Sequence, residues 1–160
     1  MYALDLQSPH NDRCYELVES LRHGADPWYV TWGIVYEFMR VTTHLNILNK
    51  PMSSSNAWHY ITDLLASPGM HVLAETPRHI EVAREVFSIV PEARGSLVFD
   101  ARTAILMREH GITRIITRDT DFFRFPFIEV IDPLQSPPTR VSEGRGKYAG
   151  RRRRAPAGVA

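Results

Sequence analysis

The chain has 160 residues, 44% of them hydrophobic and 23% charged, which suits one globular domain and leaves too little chain for two full cores. A single cysteine, Cys14, excludes an internal disulfide and a cysteine-based zinc site. No apolar run reaches the ~20 residues of a bilayer span and no basic-then-apolar leader opens the chain, so a cytoplasmic protein with no membrane partner is expected.

The net charge of +1 conceals an asymmetry. Residues 139–160 hold seven of the 19 basic residues and one of the 18 acids, which leaves 12 basic and 17 acidic residues before Thr139, a net charge of −5. An acidic body argues against simple phosphate binding. It is compatible with carboxylates gathered around a divalent cation, which inverts the local charge.

Ser8-Pro9 pairs a capping residue with a proline suited to the first helical position, and predicts a helix with Cys14, Leu17, Val18 and Leu21 at helical spacing and Gly24 as its stop. Trp28 to Trp32, aromatic and β-branched, reads as a strand. Ile34 to Thr43 reads as a helix with Ile34, Val35, Phe38 and Val41 inward. Leu45 to Ser53 reads as a loop, and Ser54 or Ser55 caps a helix to about Ala66 with Trp58, Ile61, Leu64 and Leu65 inward. Ser67-Pro68-Gly69 stops it, and His71 to Ala74 forms a short strand. Thr76-Pro77 starts a helix whose apolar positions are Ile80, Ala83, Val86, Phe87 and Val90. Another helix covers about Val98 to His110, ended by Gly111. Arg114 to Thr117 and Ile128 to Ile131 are the last strands. Strands alternating with helices imply βαβ units, hence a parallel sheet covered on both faces. From Gln135 onward proline, glycine, serine and arginine predict a disordered tail. The organisation expected is a folded domain over 1–134 and a basic tail over 135–160.

In such a sheet, ligands bind beyond the carboxyl ends of the strands. Thr117-Arg118-Asp119-Thr120-Asp121 lies there, directly after a strand. Asp100 lies at the start of the Val98–His110 helix, and Glu37 near the start of the helix after the Trp28–Trp32 strand. Three strand-to-helix regions therefore present carboxylates to one edge. Clustered carboxylates repel one another unless a cation or proton intervenes, and oxygen-only donors select hard ions such as Mg²⁺ or Mn²⁺. An ion so held suits phosphodiester hydrolysis. Each acid also has an ordinary reading: Asp100 as an acid favoured by the helix dipole, Glu37 as a solvated helix residue, Asp119 and Asp121 as turn formers. His71 and His79 lack metal-ligand spacing. Trp28, Trp32 and Trp58 read as packing residues rather than a base-stacking platform.

Gly95-Ser96-Leu97-Val98-Phe99-Asp100-Ala101, Glu109-His110-Gly111, Ile115-Ile116-Thr117-Arg118-Asp119-Thr120-Asp121-Phe122 and Asp132-Pro133-Leu134, taken in order with Glu37 to His44 and Leu73 to His79, resemble the VapC-type PIN toxins over about Met1 to Leu134. The resemblance implies a PIN-like three-layer α/β/α sandwich around a small parallel sheet. It implies a Mg²⁺- or Mn²⁺-dependent endoribonuclease, the toxic half of a toxin–antitoxin pair, with RNA as substrate, a cognate antitoxin as partner and a homodimeric state. Glu37, Asp100 and Asp119 match the family's second, third and fourth acids, with Asp121 an added acid and Thr117 the supporting hydroxyl residue. Met1-Tyr2-Ala3 looks like the end of the family's first, central strand. The aspartate of that strand would lie upstream of Met1, and Asp5 falls too late to replace it. The expectation is therefore a sheet lacking its first central strand, with a groove in its place. The rival reading is an inactive PIN remnant that still binds antitoxin or RNA.

Overall fold

The computed structural model describes residues 2–4, 7–48 and 50–135; Asp5 and all of the expected 135–160 tail except Gln135 lie outside them. Within these bounds, helices alternate with short parallel strands. Tyr2–Leu4 is a 3₁₀ turn where a strand end was expected. Ala3 is buried, so the segment packs instead of pairing. Helix α1 spans Asn11–His23 and starts later than Ser8-Pro9 suggests. The Ser8 hydroxyl accepts from His10 N–H at 3.2 Å, so the serine closes the turn before the helix. Gly24 ends α1 in extended geometry; a Cβ there would sit 2.7 Å from the Ser20 carbonyl oxygen, so close approach, not positive φ, requires the glycine.

Strand β1 is Trp28–Thr31 and helix α2 is Trp32–Thr42. Trp32 belongs to the helix because the Thr31 hydroxyl accepts from Ile34 N–H at 3.2 Å and caps it there. Helix α3, Ser54–Leu65, is capped by Ser53, one residue before the expected cap. Strand β2, Met70–Leu73, runs parallel to β1 with Trp28 opposite Met70 and Thr31 opposite Leu73. Helices α4, His79–Ile89, and α5, Leu97–Glu109, follow. Gly111, at φ +69°, turns the chain out of α5 in the left-handed region that favours glycine. Strands β3, Arg114–Ile116, and β4, Glu129–Ile131, are also parallel, with Ile115 opposite Val130. A 3₁₀ helix, Thr120–Arg124, lies between them.

Among the described residues the strands form two separate pairs, β1 with β2 and β3 with β4. No ladder hydrogen bonds join the two pairs among these residues. The main core lies between α4, α5 and the β3–β4 half, built on Val82, Val86, Ala104, Ile105, Phe122 and Phe125. Ala101 and Ala104 are fully buried; with only methyl groups at the contact, α4 and α5 can approach closely.

Several expected inward residues face out. Ile34, Trp58, Ile80 and Phe87 are exposed. In α4 the buried residues are Val82 and Val86, and in α3 Ala57 and Ile61. Each helix buries a narrow stripe, and apolar residues off that stripe stay in solvent. Trp32 is exposed too, its ring 6.0 Å from that of Tyr36, so neither it nor Trp58 is the buried packing residue expected.

Candidate active site

Two of the three acid-bearing regions are strand exits, after β1 and after β3; the third is not, because α5 with Asp100 follows helix α4 directly and no strand lies between them. Thr117 N–H donates to the Ile131 carbonyl at 3.0 Å, which holds the chain leaving β3 against the end of β4. The Thr117 hydroxyl accepts from Asp119 N–H at 3.1 Å. The Asp119 carboxylate accepts from Asp121 N–H at 3.0 Å and caps the 3₁₀ helix. Two nested side-chain turns thus fix Asp119 and Asp121 beyond β3, and give Thr117 its supporting role. Asp100 sits in the first turn of α5, where the helix dipole favours a negative charge. Glu37 is carried by α2, which leaves the end of β1.

Electrostatics link all four. Partial burial, and then the charges of Asp119, Asp121 and Glu37, push the Asp100 carboxyl up to about 6. The charges of Asp119, Asp121 and Glu37 therefore act on Asp100. The four acids do not form a ready ligand shell: among the described residues, no group of three or more His, Cys, Asp or Glu side chains stands close enough to hold a cation.

Two of the four acids are paired with arginine. Arg40 grips Glu37 through both oxygens, at 2.6 and 2.8 Å, and this hydrogen bonding holds the Glu37 carboxyl below its ordinary range. Arg124 binds Asp121 at 3.1 Å and reaches Glu92 at 3.2 Å. Bare carboxylates that repel one another have taken arginine partners instead. Both acid–arginine pairs stand three residues apart, a spacing legible in the sequence that the sequence reading did not use. The donor set itself, all carboxylate oxygen around an acid that resists ionisation, fits a hard divalent cation.

The other candidates are used elsewhere. The His71 ring lies against that of Tyr29, 5.6 Å between centroids. His79 Nδ1 meets the Glu109 carboxylate at 2.9 Å, far along α5 from Asp100. A cavity of about 330 Å³ opens beside the acids, lined by Asp121, Arg124, Glu92, Arg94, Ser96 and Leu97.

Residues 1–128 match the PIN domain family. The chain belongs to that family. Its relatives include the ribonuclease VapC48 of Mycobacterium tuberculosis, 33% identical over 134 residues, which is 84% of this chain and 92% of that protein. The ribonuclease VapC33 of the same organism is 26% identical over 135 residues, 84% of this chain and 93% of that protein. The ribonuclease VapC43 is 30% identical over 118 residues, 74% of this chain and 79% of that protein. This PIN domain is therefore of the VapC type. No helix among the described residues is long and apolar enough to cross a membrane.

Proposed function

We propose that this PIN domain is a divalent-metal-dependent endoribonuclease, the toxin of a toxin–antitoxin pair. The observation that carries the reading is the pressure of Asp119, Asp121 and Glu37 on Asp100, which a divalent cation would relieve. Asp100, Asp119, Asp121 and Glu37 are the residues that would hold Mg²⁺ or Mn²⁺. When bound, the ion supplies charge neutralisation at a phosphodiester and a water of lowered pKa.

The remaining work falls to the chain. Thr117 keeps Asp119 and Asp121 at the strand exit through its bond to Asp119 N–H. Arg40 holds the Glu37 carboxyl below its ordinary range, Arg124 is bonded to Asp121, and both arginines can release their acids as positive charge arrives. RNA as substrate and a cognate antitoxin as inhibitor are drawn from the VapC ribonucleases this chain resembles.

Asp100→Asn and Asp119→Asn are each expected to lower Mn²⁺-dependent cleavage of cellular RNA by at least about a hundredfold, the scale for losing a group that acts on the reacting atoms. EDTA should abolish cleavage by the unaltered protein. Cleavage that survives EDTA, or both substitutions, would remove the assignment. RNA or antitoxin binding with no cleavage under any metal would make the protein a binding module instead.

A further inference from the structure

RNA approaching four carboxylates needs cationic help, and most of the nearby arginines are committed. Arg40 holds Glu37, Arg102 holds Glu75, Arg118 pairs with Asp132, and Arg124 spans Asp121 and Glu92. Arg94 differs. It lines the cavity of about 330 Å³ that Asp121 also lines, it is exposed, and among the described residues it has no hydrogen bond or ion pair. The same cavity contains Ser96, whose side chain makes no capping hydrogen bond to α5 and so leaves its hydroxyl available. The two carboxylates in the wall, Glu92 and Asp121, share the single guanidinium of Arg124, which offsets one of their two charges and leaves Arg94 as the second cation of the wall. The cavity therefore offers one uncommitted guanidinium and a hydroxyl next to the acids, and a volume large enough for a phosphate with its sugar.

We propose that Arg94 binds a backbone phosphate of the RNA in this cavity, with Ser96 as a second donor, and so sets the strand over the acids. Arg94 is a positioning residue: it grips a phosphate adjoining the one attacked, through the planar fork that suits phosphate oxygens. Arg124 acts behind it by holding both wall carboxylates and offsetting one of their two charges. The proposal rests on the nuclease reading for the identity of the ligand, but its test does not require cleavage.

The probe is a fluorescein-labelled, mixed-sequence RNA of about 12 nucleotides, long enough to cover one such site. Binding is read by anisotropy in EDTA, which keeps the probe intact, at several NaCl concentrations. The full chain is compared with Arg94→Ala, Arg94→Lys and Arg84→Ala, the last removing an arginine of α4 that lies outside the cavity lining. Arg94→Ala is expected to weaken binding about tenfold and to reduce the slope of log affinity on log salt by about 0.7, the loss of one phosphate contact on a single strand. Arg94→Lys should keep the slope but bind about threefold more weakly, since charge remains and the fork does not. Arg84→Ala should match the unaltered protein. Circular dichroism checks that each variant is folded; if Arg94→Ala is not, Arg94→Lys decides. Unchanged affinity and slope in Arg94→Ala, or an equal loss in Arg84→Ala, overturns the phosphate site. Mn²⁺-dependent cleavage of the same RNA separates the two ideas. Cleavage with binding that ignores Arg94 sinks this site and leaves the nuclease reading standing. Arg94-dependent binding by a protein that never cleaves supports the site and sinks the nuclease.

Discussion

At Asp100 the ionised carboxylate is opposed first by partial burial and then by Asp119, Asp121 and Glu37, and its carboxyl is pushed up to about 6 from an ordinary 3.8. A raised carboxyl pKa means the fold holds the proton more tightly than the unfolded chain does. Stability is then greatest below about pH 4 and is lost as pH rises through 6. At face value the shift corresponds to about 3 kcal/mol, and about half of that once solvent screening is allowed for. Asp100→Asn, measured without divalent cations, should therefore melt about 5 °C above the unaltered protein at pH 7 and alongside it at pH 4. Mn²⁺ should raise the melting temperature of the unaltered protein and not that of the variant. Equal melting temperatures at pH 7 would show that Asp100 is not under the strain assigned to it. Glu37, Asp119 and Asp121 were legible in the sequence because strand exits are where a parallel sheet binds ligands; Asp100 was legible only as an acid in the first turn of a helix, since α5 follows α4 and not a strand. Their present pairings were not, since whether Glu37 turns to a cation or to Arg40 depends on what else is near, which spacing alone leaves open.

Helix α5 joins two tasks that the sequence shows only as separate motifs. Its first turn carries Asp100. Its last residue, Glu109, has a side chain with no exposure to solvent and accepts from Thr76 N–H at 3.2 Å, from the Thr76 hydroxyl at 2.7 Å and from His79. Burial would raise the Glu109 carboxyl, but these bonds outweigh it and hold it below the ordinary range. Next to it, His110 bonds the Ala74 carbonyl at 2.8 Å. The end of α5 thus clamps the segment between β2 and α4. Glu109→Ala should cost about 2–4 kcal/mol, because it strands the Thr76 and His79 donors around an emptied site. Glu109→Gln should recover part of that, and the difference between glutamate and glutamine should vanish as pH falls through the lowered carboxyl pKa. Asp100 stands near the other end of α5, roughly 14 Å away at 1.5 Å per residue, so metal-dependent cleavage in the folded variant should be unchanged. A loss of cleavage as large as that of Asp100→Asn would contradict a purely architectural Glu109. At this scale the existence and order of the helices were legible from caps and period. Their faces were less so: Ile80 and Phe87 fit an apolar pattern as well as Val82 and Val86 do, and tertiary contact chose the valines.

Across the whole molecule, alternation of strand and helix predicted parallel pairing correctly, but which strands would join was a question of long-range contact that local pattern does not answer. The two pairs are not hydrogen-bonded to each other among the described residues, so something else must fasten the β3–β4 half to the first helix. Arg13 of α1 does this across about the whole domain: its Nε donates to the Pro133 carbonyl at 2.6 Å and its Nη2 to the Gln135 carbonyl. Beside it Leu17, Ile116 and Ile131 line an open cleft of about 410 Å³, so the arginine bridges α1 and the end of β4 along the rim of a surface groove. Because these bonds are exposed, Arg13→Ala should cost only about 1–2 kcal/mol. The informative readout is where that loss appears. Native-state hydrogen exchange should quicken in α1 and at the exit of β4, while the α4–α5 core keeps its protection, because that core shares none of the affected contacts. A uniform rise in exchange across α1, α5 and β4 would mean that the domain opens only as one cooperative unit, and that its divided sheet does not divide its stability.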